Sequence, residues 1–192
     1  MAGDKDLFAA QGAGEDGLPD VHASVIFKPT KTVSVTKVLV AAEAYAAGDV
    51  LSEATTNATG TTWKFENLFH RNGGKGKIIQ AQIISETTNV TPRLVVRLYN
   101  GVPTCELDDN AANNGLVHAD LTKYLGIIEF LSLNEDGGDA EAIATPNTYG
   151  NLPIKVEAAF DHRDLHAVVS TRDAVTLDAG ADMTLILVYE PE

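Results

Sequence analysis

Ala44-Tyr45-Ala46-Ala47-Gly48-Asp49-Val50-Leu51-Ser52 divides the chain, with a strand of alternating apolar and polar residues before it and a second apolar run from Val50 onward. The Gly48-Asp49 step suits a tight bend or bulge, because glycine takes a positive φ without steric cost and aspartate bonds readily to nearby backbone. Tyr45 and Val50 can turn inward on either side of it. Tyr45, Gly48 and Asp49 are therefore expected to form a structural bend where a β-domain begins.

Upstream, Val33, Val35, Lys37 and Leu39 alternate with Thr32, Ser34, Thr36 and Val38, the period of two of a half-buried strand. Lys28-Pro29-Thr30 separates this run from Val25 and Phe27. Residues 1–23 are rich in Gly and Asp and too poor in large apolar residues to offset their own ordering entropy. They read either as a flexible tail or as an arm that orders against a neighbouring subunit, with Leu7 and Phe8 as anchors.

Downstream, Trp63, Phe65 and Phe69 mark a strand with inward aromatic residues. Residues 72–77 (Asn-Gly-Gly-Lys-Gly-Lys) read as a turn leading into Ile78-Ile79-Gln80-Ala81-Gln82-Ile83-Ile84. Arg93-Leu94-Val95-Val96-Arg97-Leu98-Tyr99 ends on the turn signal Asn100-Gly101. These two strands look central, with Ile79 or Ile83, Val96 and Leu98 expected in the core. Residues 105–119 read as a long polar loop, Asp120 as the cap of a short helix, and residues 134–139 as an acidic loop. Further strands are expected over residues 125–133, 153–160, 165–170, 174–177 and 183–189. About eight to ten short strands without an amphipathic helix point to an all-β fold, a jelly-roll-like antiparallel β-sandwich over residues 24–192 with an extended N-terminal arm.

The 192 residues suffice for one well-buried domain. Asp and Glu number 27 against 14 Lys and Arg, a net charge of −13, which repels phosphate backbones and anionic bilayers. Nucleic acid and membrane are thus not expected partners, whereas a basic or mixed protein surface is. The single Cys105 allows no internal disulfide and no multi-cysteine metal site, and reads as a small packing residue. Neither a secretory leader nor a bilayer-spanning run is recognisable, so the sequons at Asn57 and Asn89 are read as chance matches.

No nucleophile stands against a base and no pattern pairs two carboxylates, so no catalytic residue is assigned and the chain is not expected to be an enzyme. The glycines of residues 73–76 lack the Ser/Thr and helix of a phosphate loop, and no cofactor is expected. His162 and His166, four apart, fall on one face of a regular element. With Asp161 or Asp164 they could ligate a divalent metal, but a salt-bridged surface loop outweighs that and no metal is assigned. Residues 108–110 and 135–139 lack calcium-loop spacing and read as Asx turns. Trp63, Tyr99 and Tyr149 are candidate stacking platforms for a glycan, weighed against a place in the core.

The order of these motifs carries a resemblance. Tyr45-x-x-Gly48-Asp49 is followed by Gly73-Gly74-x-Gly76-x-Ile78, then Leu98-Tyr99-Asn100-Gly101 with Pro103-Thr104, then Asp109-Asn110-Ala111, and then Leu125-Gly126 ahead of Phe130. Over residues 38–189 this resembles a group of tailed-phage virion proteins. The chain departs from them at Leu51-Ser52-Glu53, where the group carries a glycine. The resemblance implies a capsid decoration or cement protein on the outside of the virion head, made in the host cytoplasm. Its implied partners are the major capsid protein and, in a homotrimer, its own copies. The alternative is a carbohydrate- or receptor-binding sandwich of a tail, baseplate or head fibre.

Overall fold

Strand β1 (Lys31–Val38) turns Val33, Val35 and Lys37 inward and leaves Thr32, Ser34 and Thr36 in solvent, the alternation that its sequence dictates. A computed structural model of the chain describes residues 29–39, 44–53, 60–87, 90–135, 137–146, 151–178 and 180–192. Leu7, Phe8 and the rest of the expected arm, Val25, Phe27 and Tyr149 lie outside the described residues.

The remaining strands are β2 (Ala44–Tyr45), β3 (Val50–Leu51), β4 (Trp63–Phe65), β5 (Lys75–Ser85), β6 (Leu94–Tyr99), β7 (Tyr124–Phe130), β8 (Asn134–Glu135), β9 (Ala140–Ala144), β10 (Ile154–Glu157), β11 (Leu165–Thr171), β12 (Val175–Thr176) and β13 (Asp182–Pro191). All pairings are antiparallel. One sheet runs β1-β13-β5-β9-β8, with β10 continuing the β9 edge of β5. The other runs β3-β11-β6-β7, with β4 beside β3 on the same edge of β11. The small pair β2-β12 lies apart from both. The fold is an all-β sandwich of antiparallel sheets.

The pairs nest. First and last strands lie together (β1 with β13), then β3 and β4 with β11, then β5 with β9 and β10, then β6 with β7, and successive pairs alternate between the two sheets. Between the sheets lie Trp63, Phe65, Ile83, Leu94, Val96, Leu98, Val169, Leu185, Leu187 and Tyr189 in one apolar cluster. Each fully buried large side chain there contributes about 1.5–3 kcal/mol.

β5 breaks its alternation once. Val188 pairs with Gln80 but Tyr189 pairs with Ile78, so Ile79 is the extra residue of a bulge. The inward set therefore shifts from Ala81 and Ile83 to Ile78, which explains a strand apolar on both faces. Ile83 is in the core and Ile79 is half-buried.

Four local expectations need correction. Only Asn72 and Gly73 of the glycine-rich run turn; Lys75 already begins β5, where a Cβ on Gly76 would lie 2.4 Å from both the Glu190 carbonyl oxygen and the Tyr189 ring. Asp120 does not cap a helix but ends a single 3-10 turn, His118–Asp120. The acidic loop is a tight hairpin in which Asn134 and Glu135 pair with Glu141 and Ala140. β9 was not expected at all, because its alanines carry little strand signal.

Candidate functional site

The bend of residues 44–52 is held from two sides. Gly48 takes φ +98°, which lets its N–H donate to the Thr171 carbonyl at 3.0 Å. Asp49 accepts from the Ala46 N–H at 2.6 Å, and its own carbonyl accepts from the Thr171 N–H at 2.9 Å. The Thr171 hydroxyl donates to the Ala46 carbonyl at 2.8 Å, so the end of β11 closes the inner side of the bend.

The outer side is closed by residues 109–113. The Tyr45 hydroxyl donates to Asp109 Oδ2 at 2.7 Å and the Ser52 N–H to Asp109 Oδ1 at 2.8 Å. Val50 and Asn110 exchange backbone bonds with this segment, Val50 N–H to the Ala111 carbonyl and Asn110 N–H to the Val50 carbonyl, both at 2.9 Å. Asn113 N–H reaches the Gly48 carbonyl at 3.0 Å. Asn110 adopts a positive φ of 58°, tolerable for asparagine, and turns the loop at this point. Asp108 is an acceptor as well, for the Gly60 N–H at 3.0 Å. Apart from the Tyr45 hydroxyl, the donors to these carboxylates are backbone N–H groups.

Residues 101–123 thereby lie over the outer face of the second sheet. Register places Tyr99, His166 and Tyr124 in one row of that face and Arg97, Val168 and Ile127 in the next. Cys105, Leu107 and Val117 pack on Val50, Tyr99, Tyr124 and Val168 to form a second apolar cluster. Asp120, 0% exposed, fastens the loop by accepting from the Thr104 N–H (2.8 Å), the Thr104 hydroxyl (3.2 Å) and the Cys105 N–H (3.1 Å). Burial pushes the Tyr99 phenol and the Cys105 thiol above their ordinary values, so both stay neutral at pH 7. Cys105 fills space there as a free thiol.

His162 and His166 do not share a face, because β11 starts only at Leu165 and His162 belongs to the preceding turn. His166 is buried with Nδ1 2.8 Å from the Thr62 hydroxyl, and that burial lowers its pKa. His162 is exposed, 3.4 Å from Asp161. Asp164 is taken by the Asn67 N–H at 2.7 Å and Lys64 at 3.0 Å. Among the described residues no three His, Cys, Asp or Glu side chains gather in a way that could hold a metal ion.

Trp63 and Tyr99 are both buried, with the Trp63 indole donating to the Leu51 carbonyl at 2.9 Å, so neither ring is open to a sugar. Lys37, one of the inward residues of β1, is buried and bonded to Glu53 and to the Thr61 carbonyl, with the Trp63 ring 5.8 Å away. Burial lowers the Lys37 pKa. Burial alone would raise Glu53, but the bonds from Lys37 and Thr61 outweigh it and hold the carboxyl below its usual range.

The bend also lines a cleft of about 240 Å³ with Arg97, Asn113, Ser170 and Arg172, a grouping that sequence spacing alone does not reveal. In comparisons with known proteins, no family model matches this chain and no curated protein matches it.

Proposed function

We propose that the chain is a structural, protein-binding component of a tailed-phage virion, of the capsid decoration or cement type, and not an enzyme. Its partners in this reading are the major capsid protein and its own copies in a homotrimer on the capsid surface. One observation carries the reading: two motifs whose order makes the resemblance, Tyr45-x-x-Gly48-Asp49 and Asp109-Asn110-Ala111, are joined directly by the Tyr45–Asp109 hydrogen bond and, at the residue that follows the first motif, by backbone bonds between Val50 and both Asn110 and Ala111. Motifs that meet in the fold behave as one framework, and their joint presence is harder to obtain by chance than either alone. The nested pairing that alternates between sheets supports the finer description as a jelly roll, in which an antiparallel ribbon wraps into two Greek keys.

Cementing is mechanical work. Each copy needs only modest apolar contacts, about 25 cal/mol per Å², because a lattice multiplies them through effective concentration. Residues 1–23 are the candidate bridge to a neighbouring subunit, with Leu7 and Phe8 as anchors. The test is loading of purified chain onto heads that lack it, followed by sedimentation and electron microscopy. The chain without residues 1–23 is expected to keep its melting transition and to lose loading. Saturation of heads by the truncated chain would refute the arm. A full-length chain that never associates with heads would refute the virion reading.

A further inference from the structure

The cleft beside the bend differs in character from the rest of this acidic molecule. It is lined by Ala47, Gly48, Arg97, Asn113, Ser170, Thr171 and Arg172, with no carboxylate among them. Arg97 projects from the outer face of the second sheet, flanked in register by Val168 and Ile127. It is partly buried, whereas the other four arginines are exposed. Among the described residues its only polar partner is the Ser170 hydroxyl, which accepts from Nη1 at 2.9 Å. Arg93 and Arg172, by contrast, each hold a carboxylate at 2.6 Å, Asp173 and Glu129 respectively. In a chain that carries 27 acidic residues, a partly buried guanidinium with no carboxylate bonded to it keeps donors open to an incoming anion.

A second donor stands in the same wall. Asn113 Oδ1 accepts from the Gly115 N–H at 2.8 Å, which fixes the orientation of the amide. Its Nδ2 is buried and has no acceptor among the described residues. Arg97 thus brings unused N–H donors to the cleft from the sheet, while Asn113, whose buried Nδ2 has no acceptor among the described residues, lines it from the loop.

We infer that this cleft binds a carboxylate, with Arg97 supplying the charge and planar fork, Asn113 Nδ2 a further donor, and the Ser170 hydroxyl an adaptable one. The local charge selects the ligand class. Arg172 is already neutralised by Glu129, so the site carries one net positive charge, suited to a monoanion and not to a doubly charged phosphate. The shared chemistry can come from a free small carboxylic acid or from an acidic side chain of a partner protein. The inference stands independently of the virion reading.

The test is titration of the full chain, followed by NMR at the Arg97 Nε–H and the Asn113 side-chain amide. Sodium acetate, a blocked Gly-Glu-Gly peptide and inorganic phosphate are compared with sodium chloride at equal ionic strength. Saturable shifts of both groups with acetate, absent with chloride, are expected. Arg97→Gln abolishes them, while Arg97→Lys keeps the charge but loses the fork and weakens binding about tenfold, a change of about 1.4 kcal/mol. Thermal melting of each variant confirms that it remains folded. Peptide binding at least as tight as acetate assigns the cleft to a protein partner, and weaker binding assigns it to a free acid; either supports the site. Acetate shifts no larger than those with chloride, shifts that persist in folded Arg97→Gln, or tighter binding of phosphate than of acetate would each overturn it.

Discussion

Gly48 carries its constraint in the backbone and not in side-chain space. Its φ is +98°, yet a Cβ placed there would meet nothing within 4 Å. Substitution therefore costs through the dihedral alone, about 1–3 kcal/mol for a residue forced into a sparsely populated region. Gly48→Val is expected to lower the melting temperature by several degrees, since 1 kcal/mol corresponds to about 2–4 °C in a domain of this size. Gly48→Asn should lose clearly less, because asparagine tolerates positive φ. Equal losses for Val and Asn in thermal melts would show that the bend depends on something other than this dihedral. The need for glycine was legible from the Gly-Asp step. What the step could not reveal is that its N–H and C=O are taken by Thr171 and Asn113, residues remote in sequence.

At the scale of elements, the segment from β6 to β7 behaves as a cover fastened at a few points. Asp120 is its innermost fastening, with the backbone N–H groups of Thr104 and Cys105 depending on one buried carboxylate. Asp120→Ala leaves those donors unpaired at about 1–3 kcal/mol each. The expected consequence is local: residues 101–123 open more often and expose Cys105, raising its labelling rate by a thiol reagent roughly tenfold or more while the sandwich stays folded. A folded Asp120→Ala variant labelled no faster than the parent chain would show that apolar contacts alone hold the cover. In sequence this aspartate reads as a helix cap, since Asp before Leu-Thr-Lys-Tyr has that form. The fold instead gives it to the backbone of residues 104 and 105, a long-range role that local pattern does not encode. Bulges escape a period-of-two reading for a similar reason. Ile79 is skipped because Tyr189 must meet Ile78, a demand that comes from the partner strand.

For the whole molecule, strand content was legible because alternation and turn residues are local, whereas pairing was not. β1 lies against β13 at the far end of the chain, and β11 is buried along its whole length because one face meets the core, the other meets the cover, and both edges are paired in the sheet. The candidate cleft was illegible for the same reason, since Gly48, Arg97, Asn113 and Ser170 come from four separated segments. The assembled fold also sets how stability responds to acid. Burial depresses the His166 pKa below 6.5, with Asp164 opposing and Lys64, His162 and Lys123 adding to the effect. Asp173 is lowered to about 2 by hydrogen bonds from Arg93. Asp164 and Glu53 are lowered as well, because their hydrogen bonds outweigh the opposing effect of burial. In all four cases the unfolded chain binds protons more readily, so stability falls as pH falls. The His166 contribution is complete above pH 6.5 and declines below it; the carboxylate contributions are complete above about pH 4.5 and vanish toward pH 2. The Arg93–Asp173 pair is exposed and screened, so its share is small despite its low pKa. Urea midpoints measured from pH 8 to pH 3 should therefore fall in two stages. His166→Gln removes the upper stage and leaves the lower, because it takes away the only buried imidazole among the described residues. An upper stage that survives in folded His166→Gln would assign it to another group and separate the burial of His166 from the stability of the fold.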